Sequence, residues 1–349
     1  MFSQYCPVQL YSPSKELFCW MATSTTCNPQ LLRSATRGKC PSGAWKDVVA
    51  PLLISGGAAK QTLHFVNAGA NKGFAVADFL ARFHKDGCSA IGCPSVSDWY
   101  HNITNIKANI FLGCGFCGDC KLKAPLYQTH VPVRVHAFEL LAGNRELLRI
   151  LFERLHVPGH VHAVALSNFS GTVWRPLGVR TGQENAAASM VRIGGRGAYE
   201  QYPTTSIDDY ARSHNLERLD WVSLDAEGWD ALIVCGATRM LSERRVAILE
   251  FEFSPDTWAT AMHGIHVLDL LEWLRGDCRY TCFWQGGRES SRYNLVNVSD
   301  LSGCAWTHRR TTVMYGNVVC AHEPPVVAAL QGLAARRCKD PHSPLERVC

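Results

Sequence analysis

From residue 63 onward, short apolar runs alternate with stretches of helical periodicity. That alternation limits the fold more than any other feature of the chain. The run Leu63-His-Phe-Val-Asn-Ala ends in Gly69-Ala-Asn-Lys-Gly73, and residues 74–83 then carry apolar side chains at helical spacing. This unit reads as strand, glycine turn, helix. Further strands are predicted over 133–139, 161–166, 219–225, 245–253, 280–284 and 317–321, with helices over 144–155, after 225 through 237, and over 266–275. Strands that alternate with helices predict a mostly parallel sheet covered on both faces, a doubly wound α/β fold of seven strands.

The rest of the chain divides around this core. Residues 1–60 read as an irregular N-terminal extension with one or two short helices, 61–322 as the α/β domain, and 323–349 as a C-terminal tail. A strand and helix normally reconnect within a few residues, so 85–130 reads as a cysteine-rich insertion and 170–204 as a second insertion placed like a lid. With 47% apolar residues the chain can bury a large core, and a net charge of +5 is too weak to imply nucleic-acid binding. No apolar run approaches the roughly 18 residues of a membrane span. The N-terminus lacks a basic start followed by an apolar core, so no signal peptide is predicted. Sixteen cysteines and the sequons Asn102-Ile-Thr, Asn168-Phe-Ser and Asn297-Val-Ser leave cytoplasm and secretory lumen equally open.

In open α/β sheets ligands sit beyond the carboxyl ends of the strands, where strand order reverses. The first turn, Asn67-Ala-Gly-Ala-Asn-Lys-Gly73, is the place to look. Gly69 permits a tight turn and close approach of a ligand to the backbone, and Gly73 can open the helix and pack it on the strand. Glu139, the first acid after the second strand, can accept hydrogen bonds from both hydroxyls of a ribose. The turn lacks the G-x-G-x-x-G spacing of a dinucleotide site, and the chain has no G-x-x-x-x-G-K-[ST] phosphate loop. A cofactor with a ribose and a carboxylate but no phosphate fits better, and S-adenosylmethionine is one.

Five segments in order resemble the FkbM family of S-adenosylmethionine-dependent methyltransferases. They are Val66-Asn-Ala-Gly-Ala-Asn-Lys-Gly73 (near D-x-G-A-N-x-G), Val135-His-Ala-Phe-Glu139 (near V-x-A-F-E-P), Ala163-Val-Ala-Leu-Ser-Asn168, Thr205-Ser-Ile-Asp208, and Trp221-Val-Ser-Leu-Asp-Ala-Glu-Gly-Trp-Asp230 (near K-I-D-V-E-G-x-E). The resemblance implies a Rossmann-like methyltransferase sheet. It also implies a cofactor site of Asn67, Gly69, Ala70, Asn71, Gly73, Glu139, Leu140, Ala165 and Asp225. The acceptor it implies is a hydroxyl of a sugar, glycan or small metabolite. Three positions depart from the pattern: Asn67 replaces an acid, Leu140 a proline, and Ser223 the lysine of K-I-D.

Methyl transfer to a hydroxyl needs alignment and a base. Asp225 and Glu227 are the catalytic candidates; the bland alternative is that they cap the following helix. Asp208 is expected to be a helix N-cap. Glu250 and Glu252 share a strand face and either reach the site or pair with an arginine. Acids at 225, 227 and 250 could hold a divalent cation, though no metal is required. His64, His136 and His162 read as packed strand residues. Cys114, Cys117 and Cys120, with Cys88 or Cys93, suit either disulfides or a structural zinc. Two other functions remain open: an inactive methyltransferase-fold binding protein, supported by Asn67 and Ser223, and a nucleotide-dependent oxidoreductase, disfavoured by the glycine spacing.

Overall fold

A computed structural model describes residues 43–55, 62–83, 131–154, 156–176, 199–253, 265, 267–285, 295–298 and 316–337. The first helix and strands are α1 (Trp45–Ser55), β1 (Leu63–Ala68), α2 (Phe74–Phe83), β2 (Val133–Phe138), α3 (Ala142–Arg154), β3 (Gly159–His162) and β4 (Ala165–Leu166). Then come β5 (Gly171–Pro176), β6 (Tyr199–Thr205), α4 (Ile207–Ser213), β7 (Leu219–Leu224), α5 (Asp230–Cys235), α6 (Thr238–Ser242) and β8 (Val246–Phe253). The last are α7 (Val267–Gly276), β9 (Thr281–Gln285), β10 (Leu295–Asn297), β11 (Gly316–Ala321) and α8 (Pro324–Arg337).

The main sheet has eight strands rather than seven, in the order β10-β9-β11-β8-β7-β1-β2-β3. The five strands from β8 to β3 run parallel, and β11, β9 and β10 add antiparallel pairs. The extra strand is β10. The strand expected over 161–166 divides in two. His162 still pairs with Phe138 in the main sheet, whereas Ala165 leaves it to pair with Thr204 in a second sheet ordered β4-β6-β5. Two flanks of the 170–204 insertion, β5 and β6, are thereby antiparallel partners in that sheet; 177–198 lies outside the described residues.

Alternation along each strand sends side chains to two apolar layers. Phe65, Trp221 and Ile248 pack with α1, α2, α3 and α8. Val66, Val222 and Leu249 pack with α4, α5, α6 and α7. β8, VAILEFEF, is buried along its whole length, as a strand covered on both faces must be. Helix α8 packs on α1, so the packed unit reaches past both ends of the expected 61–322 domain. β9 and β11 are also joined covalently, by a disulfide between the register partners Cys282 and Cys320. Cys278 is a buried free thiol whose pKa burial pushes up to about 12. Asn168 of the second sequon is buried, which closes it to a glycan. None of the described helices is long and apolar enough to cross a membrane.

The strand histidines are packed residues, but they are also joined to one another. His64 Nδ1 lies 3.1 Å from His136 Nε2, His136 Nδ1 lies 2.8 Å from the Tyr210 hydroxyl, and that hydroxyl lies 2.7 Å from His162 Nε2. Tyr210 comes from α4, and its ring lies 4.1 Å from that of His214. One consistent proton order satisfies the whole chain with every imidazole neutral. Burial and the neighbouring histidines push His136 down to about 3 and His162 to about 4, and burial lowers His64. Unfolded histidine protonates near 6.5. These groups therefore cost stability as pH falls from about 6.5 toward 4, because only the unfolded chain takes up the protons. The urea midpoint is expected to be level above pH 7 and to fall steeply between pH 6.5 and 5. The slope should be shallower in His136→Gln. A midpoint unchanged down to pH 5 would show that the cluster is protonated in the folded protein.

Candidate active site at the sheet's carboxyl edge

β1 lies between β2 and β7, and the connections leave it in opposite directions. This is the point of strand reversal, and three segments meet there. The turn after β1 is held to β2, because Gly69 and Ala70 both donate backbone N–H bonds to the Phe138 carbonyl at 3.1 Å. The end of β7 is held to β1 by Asp225 N–H donating to the Ala68 carbonyl at 3.1 Å. Gly69 has φ +70, and a Cβ there would lie 1.8 Å from the Asp225 carbonyl oxygen. Its missing side chain thus makes room for the protein's own backbone, not in the first place for a ligand. Gly73, at φ +93, faces the tips of Leu148 and Leu151. It packs the turn against α3, not against the strand.

Glu139 closes the other side of the turn. Its carboxylate accepts N–H bonds from Asn71 at 2.8 Å and from Leu141 at 2.7 Å, and the Asn144 side chain bonds it as well. Asn144 also donates to Asn71 Oδ1 at 3.3 Å. Burial raises the Glu139 pKa despite these donors and the nearby charge of Arg175. Each carboxylate oxygen has about two lone pairs, so these three donors leave acceptor capacity for one further hydroxyl. Leu140, next along, is half-buried against the core.

On the β7 side, Asp225 is exposed and Glu227 is half-buried. Glu227 takes φ +53 and Gly228 φ +90, two successive left-handed residues in the turn. A non-glycine residue held there costs about 1–3 kcal/mol, a cost that neighbouring structure must offset. Two groups do so from below. Trp229 Nε1 donates to Ser167 Oγ at 3.3 Å, and Asp230 accepts long N–H bonds from Ala226 and, at 3.3 Å, from Glu252. Asp230 is fully buried, and burial pushes its pKa up to about 7. Asn67, one residue below the glycine turn, donates through Nδ2 to the Ser223 carbonyl at 3.2 Å. Its Oδ1 is buried and has no hydrogen-bond partner among the described residues.

Other expectations meet a different geometry. Ser206, not Asp208, caps α4, by accepting the Asp209 N–H. Asp208 instead accepts the N–H groups of Arg239 at 2.7 Å and Met240 at 3.0 Å, and so caps α6. Glu250 pairs with a lysine rather than an arginine: Lys46 Nζ stands 3.4 Å from it, and Gln285 donates to its other oxygen at 3.0 Å. Ala165 is buried in β4, in the second sheet, beside Thr204. Cys88, Cys93, Cys114, Cys117 and Cys120 lie outside the described residues. Among the described residues no three metal-ligating side chains are grouped to hold an ion.

Sequence reading missed Asp230, Arg175 and Lys46. Asp230 lay inside a quoted motif but reads as an ordinary first-turn acid. Arg175 falls where a lid was expected, and the structure buries it in β5, near Glu139. Lys46 comes from a segment with no visible pattern.

Two outcomes follow from this geometry. Gly69→Ala is expected to abolish folding or lower the thermal midpoint far more than Gly73→Ala. The first clash is with backbone, and the second, 2.9 Å from a leucine methyl, is with a side-chain tip that can move. Equal effects in thermal unfolding would contradict this. Asp230 has the opposite pH sign to the histidines. Its folded pKa is raised, so its contribution is lost as pH rises from about 4 through 7. Asp230→Asn keeps an oxygen for both N–H groups and removes the charge. It should gain stability over the parent at pH 8.5 and not at pH 5 in urea titrations.

Residues 127–282 match the methyltransferase FkbM domain. No curated protein sequence matches the chain. The crystal structure of methyltransferase FkbM from Methylobacillus flagellatus KT is similar at 12% identity and a TM-score of 0.37, a likeness too distant to carry a functional argument. That alignment covers 84% of this chain and 58% of that protein, so the chain spans less than two thirds of its length. The likeness to the methyltransferase FkbM domain is therefore confined to residues 127–282, somewhat less than half of the chain.

Proposed function

We propose that the chain is an S-adenosylmethionine-dependent methyltransferase that methylates a hydroxyl of a sugar, glycan or small metabolite. The observation that carries this reading is the placement of Glu139. Its carboxylate sits against the glycine turn at the point of strand reversal, and beyond the Asn71, Leu141 and Asn144 donors it keeps acceptor capacity for a ribose hydroxyl. The residues present fit the cofactor. Asn67 Oδ1 is a buried acceptor with no donor among the described residues, suited to an ammonium group. The Gly69–Gly73 turn lies between Glu139, which accepts the Asn71 N–H, and the backbone of Asp225, which Gly69 approaches closely. When bound, S-adenosylmethionine supplies a methyl on a sulfonium, which leaves as the acceptor oxygen bonds to it.

The chain's own residues must align the acceptor and take its hydroxyl proton. Asp225 is exposed at the end of β7, on the opposite side of β1 from Glu139, and is assigned that base. Glu227, in the strained turn, is assigned to orient the acceptor. The acceptor class itself rests on the family resemblance. The Cys282–Cys320 disulfide supports maturation in an oxidising compartment, which favours the secretory lumen.

Calorimetric titration with S-adenosylhomocysteine tests the reading, with NAD as control. Wild type is expected to bind S-adenosylhomocysteine and not NAD. Glu139→Ala should weaken binding by at least about tenfold, the loss expected when charge-assisted hydrogen bonds are removed. Glu139→Gln, which can still accept one hydroxyl, should fall between. Absence of binding by folded wild type would leave the non-catalytic reading, with Asn67 in place of an acid as its cause.

A further inference from the structure

Asn67, Ser223 and Glu250 form one row across β1, β7 and β8, as register partners whose side chains share the face covered by α1 and α2. Ser223 is the short member of the row. The motif this strand resembles has lysine there, beside the acid that ends the strand. In this chain an ammonium reaches Glu250, the neighbour of Ser223 in that row, from another element. Lys46 of α1 sets its Nζ 3.4 Å from Glu250 and 3.4 Å from Asp78 of α2. The same Nζ lies 5.5 Å from the ring centroid of Trp221, two residues before Ser223 on the same face of β7.

The cluster around it is built, not incidental. Arg82 binds Asp78 and, at 2.8 Å, Asp47, so α1 and α2 are cross-linked by charge. Gln285 of β9 holds the second oxygen of Glu250 at 3.0 Å. Burial works against the charge on Lys46, but Glu250 and Asp78 outweigh it and hold the ammonium protonated. Two cations, Lys46 and Arg82, face three carboxylates, Asp47, Asp78 and Glu250. Without Lys46, Glu250 would be left buried with a single neutral donor among the described residues.

We propose that Lys46 is a positioning residue of the crevice. It supplies from α1, outside the matched domain, the cation that the strand motif carries at the position of Ser223. It fixes Glu250, and through Glu250 the row that runs over Ser223 to Asn67 beneath the crevice. That this row serves a cofactor rests on the methyltransferase reading; the exchange of one lysine position for another does not.

A charge-transposition cycle decides it, read by thermal midpoint and by S-adenosylhomocysteine affinity. Lys46→Met should lower the midpoint by on the order of 10 °C, since it leaves buried carboxylates unpaired, and should weaken binding severalfold. Ser223→Lys alone should also destabilise, because two ammonium groups then compete for Glu250. The double variant should recover at least half of both losses, and Lys46→Arg should stay near wild type. If Lys46→Met does not fold, cooperative folding of the double variant supports the proposal equally. A double variant no better than Lys46→Met overturns it. Recovery of the midpoint without recovery of affinity overturns the positioning role. Should wild type fail to bind the ligand at all, the methyltransferase reading falls while the midpoint cycle still judges the exchange.

Discussion

The carboxyl edge of this sheet depends on how closely Gly69 lies against the backbone of Asp225. With any side chain at 69, the turn after β1 and the end of β7 could not both occupy their places. That approach draws together two strand ends whose connections diverge, and a crevice forms only where connections diverge. Glu139 completes the arrangement from β2 by taking the N–H of Asn71. The turn is therefore shaped by contacts on both flanks before any ligand arrives.

Buried charge is handled in three different ways around this crevice, each with its own consequence. Lys46, Asp78, Arg82 and Glu250 are ionised and paired, so their desolvation is offset by mutual attraction. Asp230 has backbone N–H donors but no cation, and burial wins, raising its pKa to about 7. His64, His136 and His162 stay neutral because the chain through Tyr210 satisfies their ring nitrogens without a charge. The last two arrangements pull in opposite directions with pH. Both act between about pH 4 and 7, and with three histidines against one acid their sum still rises with pH there and levels off above 7.

Much of the architecture was legible because it rests on local periodicity. β1, β2, β7 and β8 are short apolar runs, and α2 carries its apolar stripe over the same residues that the spacing marks out. The Gly69–Gly73 turn and Glu139 were legible for a related reason: a parallel strand end followed by glycine has few conformations open to it. What was not legible depends on partners far away in the chain. Nothing local reveals that Ala165 leaves the main sheet, since its choice of Thr204 over a β2 neighbour is made by a strand some forty residues on. Asp208 follows the N-cap pattern, yet the carboxylate is drawn to the free N–H groups of α6 and Ser206 takes the cap. Lys46 sits in a stretch whose charges look like solvated surface until α2 and β8 fold over them.

The stretch that matches the family and the unit that holds together physically are not the same. Of the main sheet, residues 127–282 contain β2, β3, β7, β8 and only the start of β9, and exclude β1, β10 and β11. β1 is hydrogen-bonded on both sides, to β2 and β7, and β11 on both sides, to β8 and β9. Removing either would open the centre of the sheet and expose two rows of unpaired backbone groups. Helix α1 adds to the same argument from outside the sheet, since its Lys46 neutralises a carboxylate buried within the matched stretch. The motif-bearing strands supply the acids of the site, but the turn that gives the site its shape and the cation that lets Glu250 be buried come from the first quarter of the chain. The chemistry of the crevice is thus a property of the sheet from β1 to β11, not of the segment in which its motifs are read.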